Sequence, residues 1–487
     1  MRSLRIFAVG SLALILLPAA GVTAADPAFD EQWFVVRIAG SVVGTASERW
    51  SGADGERVFQ AQMNVSFSRM GTPLTMTILT EETCRNDGRF VRSRMQSSVS
   101  DLSALAVLDG DSLRYESNAG GGTIRRRAMA WNPAAVTEMV ARGLVQSWLI
   151  GTVPETTLTI FDVSEGDFRM QRMVRGPTSR ATIAGEERAL VAVDEYDQGA
   201  TTPSSTTWYE AAGSHQPMRT MVRQLGVEIE IVRVTPVELE ATQIEPTFDI
   251  IKKSMVPCPG FPVPASRLES VTLVLDFPGI LPATPMNGPN QLEIERDSSS
   301  VELQLTRATT HRETVTPAQA AVFLRPDRFV QSDAPSLRAV ADSLRAATRA
   351  EGWALARAVA AWVDGHITRK GMEHGYASAL DVYASRSGDC TEHSLLTVAI
   401  LRAAGIPARP VVGLALSESD HAFVGHMWVE AYLDEWRTLD ALNLGLDPIR
   451  IRVYAPDSSE GLGERDLMRA YGAVAGVKVR AIGSKAH

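Results

Sequence analysis

The sequence predicts an α+β protein whose larger, first part is mostly antiparallel β. Three observations carry this. Short strand-like runs dominate from Trp33 to about residue 245. A proline-rich break follows at Ser254-Met255-Val256-Pro257-Cys258-Pro259-Gly260-Phe261-Pro262-Val263-Pro264. Beyond it, helical periodicity comes first and strands come after, as expected for helices packed on an antiparallel sheet. At 487 residues the chain is long enough for two or three domains.

The elements in order support that division. Arg2 and Arg5, the apolar run 6–17 and the small residues Val22-Thr23-Ala24-Ala25 have the layout of a cleaved signal peptide over 1–25. The run is short for a membrane span and is interrupted by Gly10 and Ser11, with Pro18 just after it. The expectation is therefore a periplasmic or secreted protein with no stable membrane insertion after cleavage. Residues 26–250 read as an antiparallel β-rich domain. It opens on a hairpin of Phe34-Val35-Val36-Arg37-Ile38 with the run 42–50. One helix is expected over 133–147, started by Pro133, with Val136, Met139, Val140 and Leu144 on one face. Residues 251–315 read as the proline-rich linker and a small β unit, with strands at 268–277, 290–296 and 300–306. Residues 316–487 form the last domain, with helices at 335–349, 353–366 and 378–385 and strands at 409–417, 426–433 and 436–441.

Composition narrows the function. The apolar share of 45% and the charged share of 22% are those of a globular protein. A net charge of −9 gives no reason to expect a nucleic-acid or anionic-membrane partner. An oxidising compartment allows Cys84 to pair with Cys258, leaving Cys390 unpaired. Counting equally allows both to be free. The sequence does not speak to oligomeric state.

Cys390 lies in the most informative stretch, Arg386-Ser387-Gly388-Asp389-Cys390-Thr391-Glu392-His393, which leads into an apolar run. Gly388 suits a tight turn, Asp389 is a helix N-cap, and Glu392 three residues later completes a capping box. Leu395, Val398, Ala399 and Leu401 form an apolar stripe, and Gly405 and Pro407 stop the helix. A cysteine in the first turn faces the positive end of the helix dipole, so a lowered thiol pKa is expected. On its own such a residue reads as a buried core cysteine.

Its downstream partners change that reading. A thiol nucleophile needs a base and a group to orient the base. His426 begins the strand-like run His426-Met427-Trp428-Val429-Glu430-Ala431-Tyr432, and Asp440 ends Trp436-Arg437-Thr438-Leu439-Asp440. Strand alternation puts His426, Trp428 and Glu430 on one face. Hairpin parity then tests Asp440. A two-residue turn at Asp434-Glu435 pairs Leu433 with Trp436 and turns Asp440 away from His426. A three-residue connection pairs Tyr432 with Trp436 and sets Asp440 opposite Trp428, one diagonal step, about 7–8 Å, from His426. An odd-length loop or a one-residue bulge is therefore predicted.

With these motifs, and with Ala404-Gly405-Ile406-Pro407-Ala408-Arg409 between them, roughly residues 336–453 resemble the transglutaminase-like superfamily of papain-type cysteine acyl-transferases and peptidases. The hairpin with Gly40 and Gly44 is also similar to the start of exported bacterial members. The resemblance implies a papain-like C-terminal domain of helices on an antiparallel sheet, with Cys390 as nucleophile, His426 as base and Asp440 as its orienting group. It implies thioester chemistry on a protein or peptide amide and no cofactor. Trp428 is a candidate wall of the acyl-binding cleft, and His393, three residues after Cys390, a candidate lining residue. Cys390, His393 and His426 lack the paired spacing of a metal site. Transamidation, hydrolysis by a peptidase or amidase, and a non-catalytic envelope scaffold all remain open at this level. A carrier of apolar ligands, using the N-terminal β domain, is a further non-enzymatic reading. The continuation Asp440-Ala441-Leu442-Asn443 departs from the common Asp-Pro ending.

Overall fold

The computed structural model describes residues 31–486 except 54, 70–71, 99–102, 119–123, 165, 198–202, 225–226, 246–247, 278–280, 282–284, 308–314, 328, 371–376, 443–448 and 457–475. The expected signal peptide lies outside the described residues, as does Asn443. The chain divides into two compact units, one ending at Ile250 and the other beginning at Ile251.

The first unit is a large antiparallel sheet, as expected. Its strands run in two sequential meanders that meet where Gln32–Ile38 pairs with Val227–Val234, Val36 opposite Ile231. The expected hairpin forms between Gln32–Ile38 and Ser41–Ala53, turning at Ala39 and Gly40, both at positive φ. Phe34, Val36, Met63 and Ile78 are fully buried, one face of each strand supplying the core.

The helix starts later than its periodicity predicts, at Glu138–Ile150. Ala135–Thr137 is instead a short strand pairing in parallel with Thr159–Phe161, and the Thr137 hydroxyl accepts the Val140 N–H as the N-cap. Pro133 thus lies outside the helix. The buried face carries Met139, Ala141, Arg142, Val145, Gln146 and Leu149, while Leu144 is exposed. Sheet pairing and the cap together override the proline signal.

The second unit has the expected order of helices, then strands. Pro335–Thr348, Gly352–His366 and Ala379–Ser385 surround Cys390–Ala403. Residues 391–402 of that central helix are all buried, so the single apolar stripe understates its burial. The helix packs on an antiparallel sheet in which Ala422–Tyr432 pairs with Ala408–Ser417, which pairs in turn with Arg450–Tyr454. Trp436–Leu439 pairs along the other edge of Ala422–Tyr432. A separate antiparallel sheet holds Leu268–Asp276, Gln291–Arg296 and Ser300–Thr306. It takes a fourth strand, Lys478–Ala486, from the far end of the chain.

All three cysteines are free thiols, so the Cys84–Cys258 bridge that counting allows is not formed. Each of the two is packed in the core of its own unit, at 3% and 0% exposure. Burial pushes both thiols up, Cys84 to about 12. Among the described residues, no helix is long and apolar enough to cross a membrane.

Candidate active site

The Cys390 helix begins as its local sequence requires. The Asp389 carboxylate accepts the Thr391 N–H at 2.9 Å, and Glu392 Oε2 accepts the Asp389 N–H at 3.0 Å. This is the expected capping box. Glu392 Oε1 also accepts the Ala377 N–H at 2.8 Å, so one carboxyl ties the preceding loop to the helix start. Gly388 is needed for closeness: a Cβ there would stand 2.2 Å from Cβ of Glu392.

Cys390 is half-buried, and its sulfur accepts the backbone N–H of Met427, the residue after His426. This brings the helix start to the His426 strand. The expectation of a lowered thiol pKa is overturned. Burial pushes the thiol well up, and the negative charges of Asp389, Glu392 and Asp440 add to it. The Met427 N–H does not offset the loss of water.

His426 and Asp440 meet as parity predicts. Tyr432 stands opposite Trp436 and Glu430 opposite Thr438, the register of the three-residue connection. His426 Nε2 donates to Asp440 Oδ2 at 2.7 Å. That bond fixes the proton on Nε2 and leaves Nδ1 as the basic nitrogen. Asp440 Oδ2 also accepts from Arg450 Nη2 at 2.9 Å, and Oδ1 accepts the Leu442 N–H at 3.0 Å. Burial alone would raise the Asp440 pKa. The His426 hydrogen bond and the His426 and Arg450 charges outweigh it and hold the carboxyl below its ordinary range.

Trp428 follows on the same face. Its ring is buried and stacks on His426, centroids 6.1 Å apart and 25° between planes. Glu430, next on that face, is held between two arginines: Arg409 Nε donates at 2.9 Å and Arg452 Nε at 3.1 Å. Burial again acts to raise this carboxyl, and Arg452 and Arg409 keep it low.

His393 is drawn away from lining the site. It is 1% exposed, and its Nδ1 donates to the Asp389 carbonyl at 2.7 Å. Burial pushes its pKa down, so it stays neutral. The charges that act on it are those of Lys370, Asp364 and Asp389.

Residues 338–441 match the model of the transglutaminase-like superfamily. The chain carries a transglutaminase-like domain. Among solved structures, the fold is similar to a candidate cysteine protease from Cytophaga hutchinsonii at 20% identity, covering 45% of this chain and 86% of that one, with a TM-score of 0.28. It is also similar to the periplasmic domain of TgpA from Pseudomonas aeruginosa, at 18% identity, 36% and 89% coverage and a TM-score of 0.25. A β-barrel-like protein from Brucella abortus matches at 11% identity, 42% and 95% coverage and a TM-score of 0.33. These are distant likenesses. No curated protein matches.

The transglutaminase-like domain does not build its site alone. Arg450 and Arg452 lie beyond the matched residues, on Arg450–Tyr454. Gln291, from the four-stranded sheet, receives the Arg452 N–H at 2.8 Å and donates to its carbonyl at 2.9 Å. The Thr438 hydroxyl donates to Asn290 at 3.1 Å. Sequence reasoning missed these residues. The alternation Arg450-Ile451-Arg452-Val453, with Glu430 and Asp440 due to be buried, was a usable signal for the arginines. Nothing local marks Asn290 or Gln291.

Proposed function

We propose that the protein is a cysteine-dependent acyl-transfer enzyme of the transglutaminase-like type, exported and acting on a protein or peptide amide. The observation that carries this reading is the His426–Asp440 hydrogen bond, on a strand whose next N–H reaches the Cys390 sulfur.

In this reading Cys390 attacks the amide carbonyl carbon as its proton passes to His426 Nδ1. The transfer accompanies the attack, as in general base catalysis. The C–S bond forms, and the oxyanion is met by the Cys390 backbone N–H at the helix start. The C–N bond then breaks, and His426 returns the proton to the departing amine or ammonia. The product is a thioester on Cys390. An incoming amine or water gives its proton to His426 and attacks the thioester; the C–S bond breaks and the thiol is restored. An amine makes the protein a transglutaminase, and water a peptidase or amidase. Asp440 holds the imidazole and stabilises its protonated form.

The test is trapping of the acyl-enzyme. The wild-type protein, incubated with a glutamine-containing peptide and hydroxylamine, should yield the peptide hydroxamate, and Cys390→Ala should yield none above background. Equal hydroxamate from both proteins would sink the enzyme reading and favour a scaffold role.

A further inference from the structure

Asp440 stands just beyond the last pair of its strand, Leu439 with Val429. Sheet hydrogen bonds therefore do not fix the direction of its carboxyl, and the last torsion of an aspartate is broad. One anchor is local, the Leu442 N–H on Oδ1. Another crosses the sheet. Arg450 begins the strand Arg450–Tyr454, which pairs with Ala408–Ser417, while Asp440 follows the strand paired with the opposite edge of Ala422–Tyr432. The ion pair thus spans the two strands between them. Arg450 Nη2 lies 2.9 Å from Asp440 Oδ2, the same oxygen that His426 Nε2 reaches at 2.7 Å. Gly413 makes room for this: a Cβ there would stand 2.0 Å from the Ile451 carbonyl oxygen, so the strand carrying Arg450 comes in close.

This is not an arrangement that stability alone selects. Arg450 is buried, and its Nε and Nη1 have no hydrogen-bond partner among the described residues. Such groups are costly to bury. Arg402, equally buried, instead donates from Nε to the Ala408 carbonyl at 2.9 Å and from Nη1 to the Arg325 carbonyl at 2.7 Å. The ion pair that Arg450 does make falls on the oxygen that orients His426. Its side chain and that of Asp440 are 6% and 2% exposed, so water is a poor replacement for either. Without Arg450, burial would act on the Asp440 carboxyl with one cation fewer, leaving its oxygens free to turn or to take up a proton. The Arg450 charge also opposes the imidazolium that forms during turnover. That effect is the smaller one, since an orienting carboxylate is worth about 10³–10⁴ in rate.

We propose that Arg450 is a positioning residue for the acyl-transfer reaction, acting through Asp440. It pins Oδ2 toward His426 Nε2 and keeps that oxygen charged, so that the ring offers Nδ1 to the thiol. It acts on Asp440 and not on the substrate. Because Arg450 lies outside residues 338–441, the transglutaminase-like domain taken alone would lack it. The effect on rate rests on the acyl-transfer reading, while the dependence of the His426–Asp440 hydrogen bond on Arg450 does not.

Two readouts on the full-length protein test this: the rate of hydroxamate formation and the proton resonance of His426 Nε2. Arg450→Gln should lower kcat about 10- to 100-fold, the worth of one charge-assisted hydrogen bond, with KM for the glutamine peptide changed by less than about twofold. In the Asp440→Asn background the carboxylate is already gone, so adding Arg450→Gln should cost less than about twofold. An arginine with a merely structural role would cost the same in both backgrounds. The proton signal, assigned by its absence in His426→Gln, should stand downfield in the wild type and be broadened or lost in Arg450→Gln. Arg450→Lys keeps a charge at the position, which guards against misfolding, and should show the same pattern at smaller amplitude. Additive losses in the two backgrounds, an unchanged kcat with a raised KM, or an unchanged proton signal in Arg450→Gln would overturn the proposal. If the wild type forms no hydroxamate, the enzyme reading falls and the proton signal alone decides the part played by Arg450.

Discussion

Asp440 and Glu430 in the second unit, and Glu48 and Glu82 in the first, are all carboxyl groups of at most 6% exposure, yet burial leaves them in opposite states. Asp440 accepts from His426, Arg450 and Leu442, and Glu430 from two arginines; both are held below their ordinary range. In Glu48, burial dominates. Arg142 approaches only to 3.8 Å, neither carboxyl oxygen has a hydrogen-bond partner among the described residues, and the pKa is pushed up to about 8. Glu82 is likewise pushed up to about 8 by burial, although Thr137 and Met139 donate to it. Exposure does not separate the two pairs. The count and closeness of charged donors does.

The largest expected effect comes from removing the charge where it is best paired. Asp440→Asn keeps the shape but loses the carboxylate that fixes the His426 proton on Nε2. Turnover should fall by about 10³–10⁴, as expected when an orienting carboxylate is lost. The initial rate of hydroxamate formation measures it, and a fall of less than about tenfold would remove Asp440 from the site.

Next comes Glu430→Gln, which leaves Arg409 and Arg452 without a carboxylate. Breaking a buried pair by removing one partner costs about 3–5 kcal/mol. Urea unfolding should show a lower midpoint with an unchanged slope. An unchanged midpoint would mean that the arginines do not depend on Glu430.

The smallest effect has the opposite sign. The Glu48 carboxyl titrates near 4.5 in the unfolded chain but holds its proton to about 8 in the folded one. Between those values the folded state binds more protons, so this group's contribution to stability falls as pH rises. Glu48→Gln should remove that slope and stabilise the protein by about 1–3 kcal/mol near pH 8. Asp440 and Glu430 run the other way: their stabilisation is complete above the unfolded values of 3.8 and 4.5 and is lost as pH falls through the lower folded values. Denaturation midpoints from pH 3 to 9, with and without Glu48→Gln, would separate the two slopes.

Much of the candidate site was legible because it is local. The Asp389–Glu392 capping box closes within four residues, and alternation fixes which residues share a face with His426. The parity of the 433–435 connection decided where Asp440 would stand, and the register agrees. The helix at 138–150 was less legible, because strand pairing of 135–137 with 159–161 set its start.

What the chain's local order determined by itself was a set of short-range hydrogen bonds: the cap on the Cys390 helix, the hairpin, and hence the meeting of His426 with Asp440. Only the tertiary structure decided the electrostatics around them. The Cys390 thiol is raised rather than lowered, because burial in the folded unit outweighs the Met427 N–H that its sulfur accepts. Arg450 and Gln291 reach the same face from opposite sides of the matched domain, and the sheet containing residue 291 is itself completed by Lys478–Ala486. A motif can specify which donors are near in sequence. Dehydration and charge balance depend on every element packed around the site, and those are set only when the whole unit closes.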